Sequence, residues 1–244
     1  LISYEKNGLS QLTNKKFICL PEYNGEGIKI ANKFNYKPIL IRENIGILGG
    51  FKELAKQMPK GPILLLENDL ELIENKKTTF YQIKQSIDNL YKHNAIQVRL
   101  RSRFDPGEPF VGLVKYQKYW SNHLCCSIKR FFRPEKAKKL IGTSIYSIQN
   151  PEIRHPKYIK KLTNGFYLVP SSTLNWANLA ILVDRDSYLR IIIKRAEETK
   201  SKKNVNGFKN VEIELNSNWW SENNFKIILA PGLFKHNRLS DRGY

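Results

Sequence analysis

The apolar residues of the first hundred positions fall into short runs separated by polar segments. Four-residue runs bounded by Pro, Gly or polar residues predict strands, and apolar residues at helical spacing, such as Ile83, Ile87 and Leu90, predict helices. The predicted strands are residues 17–20, 38–41, 63–66 and 95–98, with helices at 27–34, 51–57 and 78–91. Because strands and helices alternate, we expect an α/β fold with a mostly parallel central sheet flanked by helices.

The rest of the chain is less regular at first and then resumes the pattern. Residues 99–167 are rich in Pro, Tyr and Lys and predict long loops around a single helix at 134–141. Residues 1–3 are expected to end an earlier strand, with a short helix near 9–13. Later elements are a strand at 176–183, helices at 185–199 and 210–220, a strand at 225–229, and a mobile Lys-rich loop at 200–206.

Composition adds an expectation about partners and environment. The 244 residues carry 41 Lys+Arg against 22 Asp+Glu, a formal net charge of +19, which favours an anionic partner without choosing one. No apolar run is long enough to cross a bilayer, and no secretory signal is visible. Three cysteines at irregular spacing are typical of reduced thiols in a cytoplasmic protein. The chain begins at Leu1 rather than Met, which is compatible with an N-terminal truncation.

The third predicted strand ends in acidic residues. Ile63 to Leu66 runs directly into Glu67, Asn68 and Asp69. This is either a strand end solvated at the surface or a ligand site, since open α/β folds bind ligands at the carboxyl ends of their strands. Carboxylate oxygens are hard ligands that suit Mg²⁺ or Mn²⁺, and a nearby imidazole favours Mn²⁺.

A Gly-rich segment precedes the next helix. Asn44, Gly46, Gly49 and Gly50 follow the second strand, and small residues there let backbone N–H groups and a helix N-terminus approach a phosphate. The Gly-x-Gly-x-x-Gly spacing of dinucleotide-binding folds is absent from the sequence. Basic side chains suited to a diphosphate are Arg42, Lys52 and Arg238.

In their order, these segments resemble the nucleotide-sugar half of GT-A-fold glycosyltransferases of the family 2 type. The resemblance implies that Glu67-Asn68-Asp69 stands where those enzymes carry an Asp-x-Asp motif, which grips a divalent cation, Mn²⁺ or Mg²⁺, on the donor diphosphate. Here Glu replaces the first Asp. The residues expected to contact the donor are Glu22, Asn44, Gly46, Lys52, Asn68 and Arg238.

The C-terminal part carries two further similarities. Residues 208–215 resemble the segment that opens a helix in inverting members of the superfamily, where one carboxylate deprotonates the acceptor hydroxyl. By position, Glu212 is the expected base, with Glu214 second. His236 follows the last predicted strand and looks like the His that supplies a metal ligand in many of these enzymes, beside Glu67 and Asp69.

The resemblance implies a single GT-A-type, Rossmann-like domain over residues 1–244. Residues of about 1–100 are expected to bind the nucleotide sugar and residues of about 101–244 the acceptor. The expected activity is inverting, metal-dependent transfer of a hexose or pentose to a hydroxyl of a glycan, glycolipid or glycoprotein. The excess positive charge suggests peripheral contact with an anionic membrane through residues 101–165.

Two other functions remain open at this point. A sugar-phosphate nucleotidyltransferase uses a related fold, although the sequence shows no Gly-rich loop followed by Arg and Lys near its start. A basic nucleic-acid-binding module would also explain the charge, but the sequence contains no nucleic-acid-binding motif, and no such partner is expected.

Overall fold

The computed structural model describes residues 1–108, 110–199 and 207–237. Strands in these residues are β1 (Phe17–Pro21), β2 (Lys37–Ile41), β3 (Pro62–Leu65), β4 (Leu70–Leu72), β5 (Gln97–Arg101), β6 (Gly107–Glu108), β7 (Lys160–Lys161), β8 (Tyr167–Pro170), β9 (Ile181–Asp184) and β10 (Lys226–Asn237). The predicted loop at 200–206 and the predicted donor contact Arg238 lie outside the described residues.

Helices lie between most of these strands. They are α1 (Ile2–Lys6), α2 (Gly25–Lys33), α3 (Gly46–Gln57), α4 (Lys76–Lys92), α5 (Val111–Trp120), α6 (Leu124–Phe132), α7 (Pro134–Lys138), α8 (Pro151–Arg154), α9 (Arg185–Ser187), α10 (Lys194–Glu198), α11 (Val211–Leu215) and α12 (Asn218–Glu222). A π-helical stretch, Tyr188–Ile193, joins α9 to α10. Short 3₁₀ turns occupy Leu9–Gln11, Ile141–Tyr146, Thr163–Gly165 and Ser171–Thr173.

The main sheet has the strand order β3-β9-β5-β10-β8-β7, and β4 and β6 also pair with β10. Strand β9 is antiparallel to both of its neighbours, and β8 is antiparallel to β10 and β7. Strands β1 and β2 form a separate parallel pair. The α/β class is confirmed, but the expectation of a mostly parallel sheet is wrong, because antiparallel pairs predominate. Strand β9 comes late in the chain yet inserts between β3 and β5, which local alternation does not reveal.

The main sheet buries apolar side chains on both faces. Along β3, Ile63 and Leu65 belong to one hydrophobic cluster, whereas Leu64 and Leu66 pack against the other. Such alternation follows from the two-residue repeat of a strand. The first cluster is completed largely by α3 and the C-terminal helices, and the second by α1 and α4. The carboxyl end of β3 is thereby fixed between two packed layers.

Several segments differ from the sequence-based expectation. The strand expected at 176–183 covers only Ile181–Asp184, and the helix expected at 210–220 is divided into α11 and α12. Residues 99–167 contain α5, α6, α7 and α8 rather than mainly loops, and residues 1–3 begin a helix rather than end a strand. The last strand does not end at 229 but continues to Asn237. It passes Pro231 and Gly232 through a shift in register. Gly232 has φ 105°, and a Cβ there would lie 2.3 Å from the Arg101 carbonyl oxygen, so this crossing requires glycine. None of the described helices combines the length and apolarity of a membrane span.

Candidate active site

The acidic residues after β3 form the connection between β3 and β4. Strand β4 runs antiparallel to β10, with Leu70 opposite His236. Asn237 N–H donates to the Asp69 carbonyl oxygen at 2.7 Å. The Asp69 Oδ2 atom lies 3.1 Å from His236 Nε2. The pairing of β4 with β10 therefore brings Asp69 together with His236. His236 lies within β10, not past the last strand as expected from the sequence.

Glu212 reaches the same cluster from α11. Asn210 caps this helix by accepting a hydrogen bond from Glu212 N–H at 2.8 Å. The Glu212 Oε1 atom accepts a hydrogen bond from Asn178 N–H at 2.9 Å. In turn, Asn178 Oδ1 accepts a hydrogen bond from the buried Trp176 indole at 2.7 Å. Sequence reasoning gave Asn178 no role, because nothing in its local pattern points to a residue 34 positions later.

Burial and mutual repulsion shape the titration of these carboxyl groups. Burial first, and then the nearby charges of Glu212 and Asp69, raise the pKa of Glu67 to about 8. Burial also raises the pKa of Glu212, while the Asn178 N–H, Arg99 and His236 act in the opposite direction. Two neighbouring acids, Glu67 and Asp69, thus form one electrostatic cluster with Glu212, which lies far away in the chain. Perturbed carboxyl groups of this kind occur preferentially at functional sites.

Arg99 provides a positive charge beside this cluster. Arg99, Arg101 and Arg103 alternate along and just past β5, a spacing that by itself is compatible with exposed residues or with contacts for an anionic acceptor. All three donate hydrogen bonds to carbonyl oxygens: Arg99 to Asn175, Arg101 to Pro106 and Gly107, and Arg103 to Ile145 and Gly165. Arg99 is only 7% exposed and is the one of the three that acts on the pKa of Glu212.

A cleft of about 1120 Å³ separates the β1–β2 pair from the β3 edge of the main sheet. Apolar side chains of β1 and β3 line its interior. The polar lining includes many of the residues predicted from the sequence, namely Glu22, Asn44, Gly46, Glu67, Asn68 and Asp69. Its volume slightly exceeds the roughly 300–1,000 Å³ of ordinary ligand pockets, and its apolar lining with a few polar groups is typical of them.

The N-termini of two helices open onto this cleft. Asn24 Oδ1 accepts from Gly27 N–H at the start of α2, and Asn44 Oδ1 accepts from Gly46 N–H at the start of α3, both at 2.9 Å. Gly46 has φ 64°, and a Cβ at that position would lie 2.5 Å from the Phe208 Cβ. The glycine therefore allows Phe208 to close over the start of α3. Helix N-termini favour anionic groups.

Four of the predicted residues that the structure describes are not among those that line the cleft. Glu212 and His236 interact with Glu67 and Asp69, which do line it, whereas Lys52 and Glu214 are placed elsewhere. Lys52 forms an ion pair with Glu197 of α10 and is not among the residues that line the cleft. Glu214 is 1% exposed, and its two carboxylate oxygens have no hydrogen-bond partner in the described part of the chain. Both residues lie on helices. The sequence does not determine how these helices rotate against the sheet, so it does not predict whether either side chain faces the cleft.

The residues around Asp69 are chemically suited to a divalent cation. Across residues 1–108, 110–199 and 207–237, no three His, Cys, Asp or Glu side chains are already arranged as a complete ligand set. However, Mg²⁺ is commonly held by one or two carboxylates together with substrate phosphates. The His236 imidazole faces the Asp69 carboxylate through Nε2, and its buried Nδ1 atom has no hydrogen-bond partner among the described residues. Asp69 and His236 therefore supply two side chains of the kinds that hold a divalent cation, and a bound phosphate would supply further oxygen ligands.

No protein-family model and no curated protein matches this sequence.

Proposed function

We propose that this protein is a GT-A-type glycosyltransferase that uses a nucleotide-sugar donor and a divalent cation, Mn²⁺ or Mg²⁺. One observation carries the proposal. Glu67 and Asp69 share one segment, whereas Glu212 and His236 come from two distant ones, yet all four form one electrostatic cluster. Glu67 and Asp69 line a cleft of a size suited to a nucleotide sugar. Folding alone does not favour such an arrangement, because buried like charges repel and are costly to desolvate.

We assign each part of the donor to residues in or beside the cleft. Glu67, Asp69 and His236 would hold the cation, which would neutralise charge that develops on the diphosphate leaving group. The N-terminus of α3, with Asn44 and Gly46, is suited to a phosphate oxygen. The β1–α2 connection, which includes Glu22, lies farther along the same cleft and is assigned to the nucleoside.

Glu212 is assigned as the general base. In the transfer, the acceptor hydroxyl oxygen bonds to the anomeric carbon while the bond from that carbon to the diphosphate oxygen breaks. The hydroxyl proton moves to the Glu212 carboxylate. Because burial raises the pKa of Glu212, it is a stronger proton acceptor than an exposed Glu. Its hydrogen bond to Asn178 N–H and the proximity of Arg99 hold this carboxylate in place. One base and no enzyme nucleophile imply inversion at the anomeric carbon.

The test is a transfer or hydrolysis assay with a panel of nucleotide sugars in the presence of Mn²⁺. We expect release of a nucleoside diphosphate from at least one donor by the wild-type protein, and strongly reduced release by Glu212→Gln. Glu222→Gln, an exposed residue on α12, is the matched control and should keep wild-type activity. Formation of inorganic pyrophosphate from a nucleoside triphosphate and a sugar phosphate would instead indicate a nucleotidyltransferase. No turnover of any donor in the panel would count against the proposal.

A further inference from the structure

The outer side of α6 is an apolar surface that points away from the protein. A helix turns by about 100° per residue, so Leu124, Ile128, Phe131 and Phe132 fall on one side of α6. These residues are 79%, 51%, 80% and 74% exposed. Cys126, the buried residue of this helix, lies on roughly the opposite side. The apolar stripe of α6 is therefore turned outward, whereas a helix that only completes a core turns it inward.

The neighbouring helix α5 extends this surface. Val111, Val114, Lys115 and Lys118 are exposed at helical spacing, while Tyr116 and Tyr119 are buried beneath them. The Tyr116 hydroxyl lies 3.1 Å from the buried His155 Nε2 atom, which fixes α5 to the body of the protein. We call the exposed side chains of α5 and α6 together the α5–α6 surface.

The α6 helix is held in this orientation by a side chain on its inner side. The Arg130 guanidinium donates to the Tyr119 carbonyl oxygen at 2.5 Å and to Ser127 Oγ at 2.7 Å. It also lies over the Trp120 ring, 5.0 Å from the centroid. Arg130 therefore anchors α6 to α5. Phe131 and Phe132, in contrast, contact each other edge to face at 5.3 Å and remain exposed.

The charged residues around this surface are almost all positive. Residues 111–140 contain eight Lys and Arg residues and a single acid, Glu135. Lys115, Lys118 and Lys129 are exposed on α5 and α6 themselves. A short helix with Phe and Leu on its outer side and basic residues beside them is the composition of an interfacial helix, which inserts apolar side chains among lipid headgroups. Each basic residue near an anionic bilayer adds to the attraction.

We propose that the α5–α6 surface docks onto an anionic lipid bilayer, with Leu124, Ile128, Phe131 and Phe132 entering the headgroup region and the lysines contacting lipid phosphates. The inference uses different residues from the proposed active site and does not depend on it. Among possible occupants, the bilayer is favoured because it matches both the exposed phenylalanines and the uniform positive charge.

The experiment is vesicle co-sedimentation with phosphatidylcholine alone and with phosphatidylcholine containing phosphatidylserine, at low and high KCl. We expect binding to the anionic vesicles that weakens with salt. The double variant F131S/F132S should bind at least about tenfold more weakly, because two exposed aromatic side chains no longer enter the interface. L124S/I128S should weaken binding in the same direction. The matched control is I2S/I153S, whose side chains are 77% and 74% exposed on other helices, and it should bind as the wild type does.

A second pair of variants separates the charge contribution. Replacing Lys115, Lys118 and Lys129 together by Gln should weaken binding to the anionic vesicles several-fold per residue. The same change at the exposed Lys77, Lys84 and Lys92 of α4 should have a smaller effect. Wild-type binding by both F131S/F132S and L124S/I128S, or no binding of the wild type to anionic vesicles at low salt, would overturn the proposal. A wild-type dimer that F131S/F132S converts to a monomer would assign the surface to a second copy of the chain instead.

Discussion

The acidic cluster beside the cleft and the α5–α6 surface depart from the usual distribution of residues in opposite ways. Carboxylates are normally exposed, yet Glu67 and Glu212 are buried enough for their pKa values to rise. Phenylalanine is normally buried, yet Phe131 and Phe132 are among the most exposed residues of the described chain. Neither arrangement stabilises the fold, and local departures of this kind are expected at functional sites. The two regions therefore differ in chemistry, and each is the basis of a separate proposal about what it binds.

Of the substitutions near the cleft, the largest effect on activity is expected at Glu212, the proposed base. Glu212→Gln keeps the size of the side chain and an oxygen for the Asn178 N–H, but it cannot accept a proton. We expect transfer to fall by about 10²-fold or more while donor affinity is retained. Initial rates and donor binding, measured side by side, check this. If Glu214→Gln shows that phenotype and Glu212→Gln does not, the base has been assigned to the wrong residue of α11.

A smaller effect, on the free energy of unfolding, is expected from a substitution of Glu67. It distinguishes a buried, repelled carboxyl group from an exposed one. The pKa of Glu67 rises from 4.5 to about 8 on folding, so the folded protein holds this proton to higher pH than the unfolded chain does. Stability is therefore lost as pH rises from 4.5 towards about 8. Glu67→Gln removes this loss, so the variant should be more stable than the wild type near pH 8, by on the order of 1 kcal/mol or more.

Urea denaturation with EDTA present, at several pH values, measures this difference. The gain in free energy of unfolding from Glu67→Gln should shrink as pH falls towards 4.5, where Glu67 is protonated in both states. Glu222→Gln, on the exposed face of α12, is the control and should show no such trend. A constant difference between Glu67→Gln and the wild type across this range would contradict the buried, repelled carboxyl group described here.

The smallest effect is expected at Lys52. The sequence suggested that Lys52 contacts the donor diphosphate, but in the structure it forms an ion pair with Glu197 outside the cleft. Partly exposed pairs of this kind contribute about 0–1 kcal/mol. Lys52→Ala should therefore change donor affinity by less than about twofold, as measured by titration calorimetry. A loss of tenfold or more would return Lys52 to the donor site.

The contrast between Lys52 and Asp69 shows what the sequence can and cannot predict. A buried strand that runs into Glu67 and Asp69 predicts a ligand site from the sequence, because the change from apolar to acidic residues is local. Likewise, the segment that opens α11 is visible in the sequence. Three other features depend on contacts between distant parts of the chain. They are the insertion of β9 between β3 and β5, the burial of Arg99 beside Glu212, and the pairing of Lys52 with Glu197. Residue patterns within one segment carry no information about such contacts.

The α5–α6 surface also has a property that the sequence does not predict, namely which side of α6 faces outward. The sequence predicted excess positive charge and a membrane contact within residues 101–165, but apart from a helix at 134–141 it predicted loops there, where the structure has α5 and α6. The outward stripe becomes visible only when Cys126 is known to face inward. Whether an apolar stripe is core or surface depends on the neighbouring elements against which the helix packs.

The most direct measurement of the central claim is Mn²⁺ binding followed by electron paramagnetic resonance, in which bound Mn²⁺ loses the sharp signal of the free ion. The titration is done with each common nucleoside diphosphate, on the wild type, on Asp69→Ala and on the exposed control Asp88→Ala. We expect the wild type and Asp88→Ala to deplete free Mn²⁺ when a cognate nucleoside diphosphate is present, and Asp69→Ala to leave it free. Equal depletion by Asp69→Ala and the wild type, or no depletion by the wild type with any diphosphate, would contradict the claim that this cluster is a metal-dependent donor site.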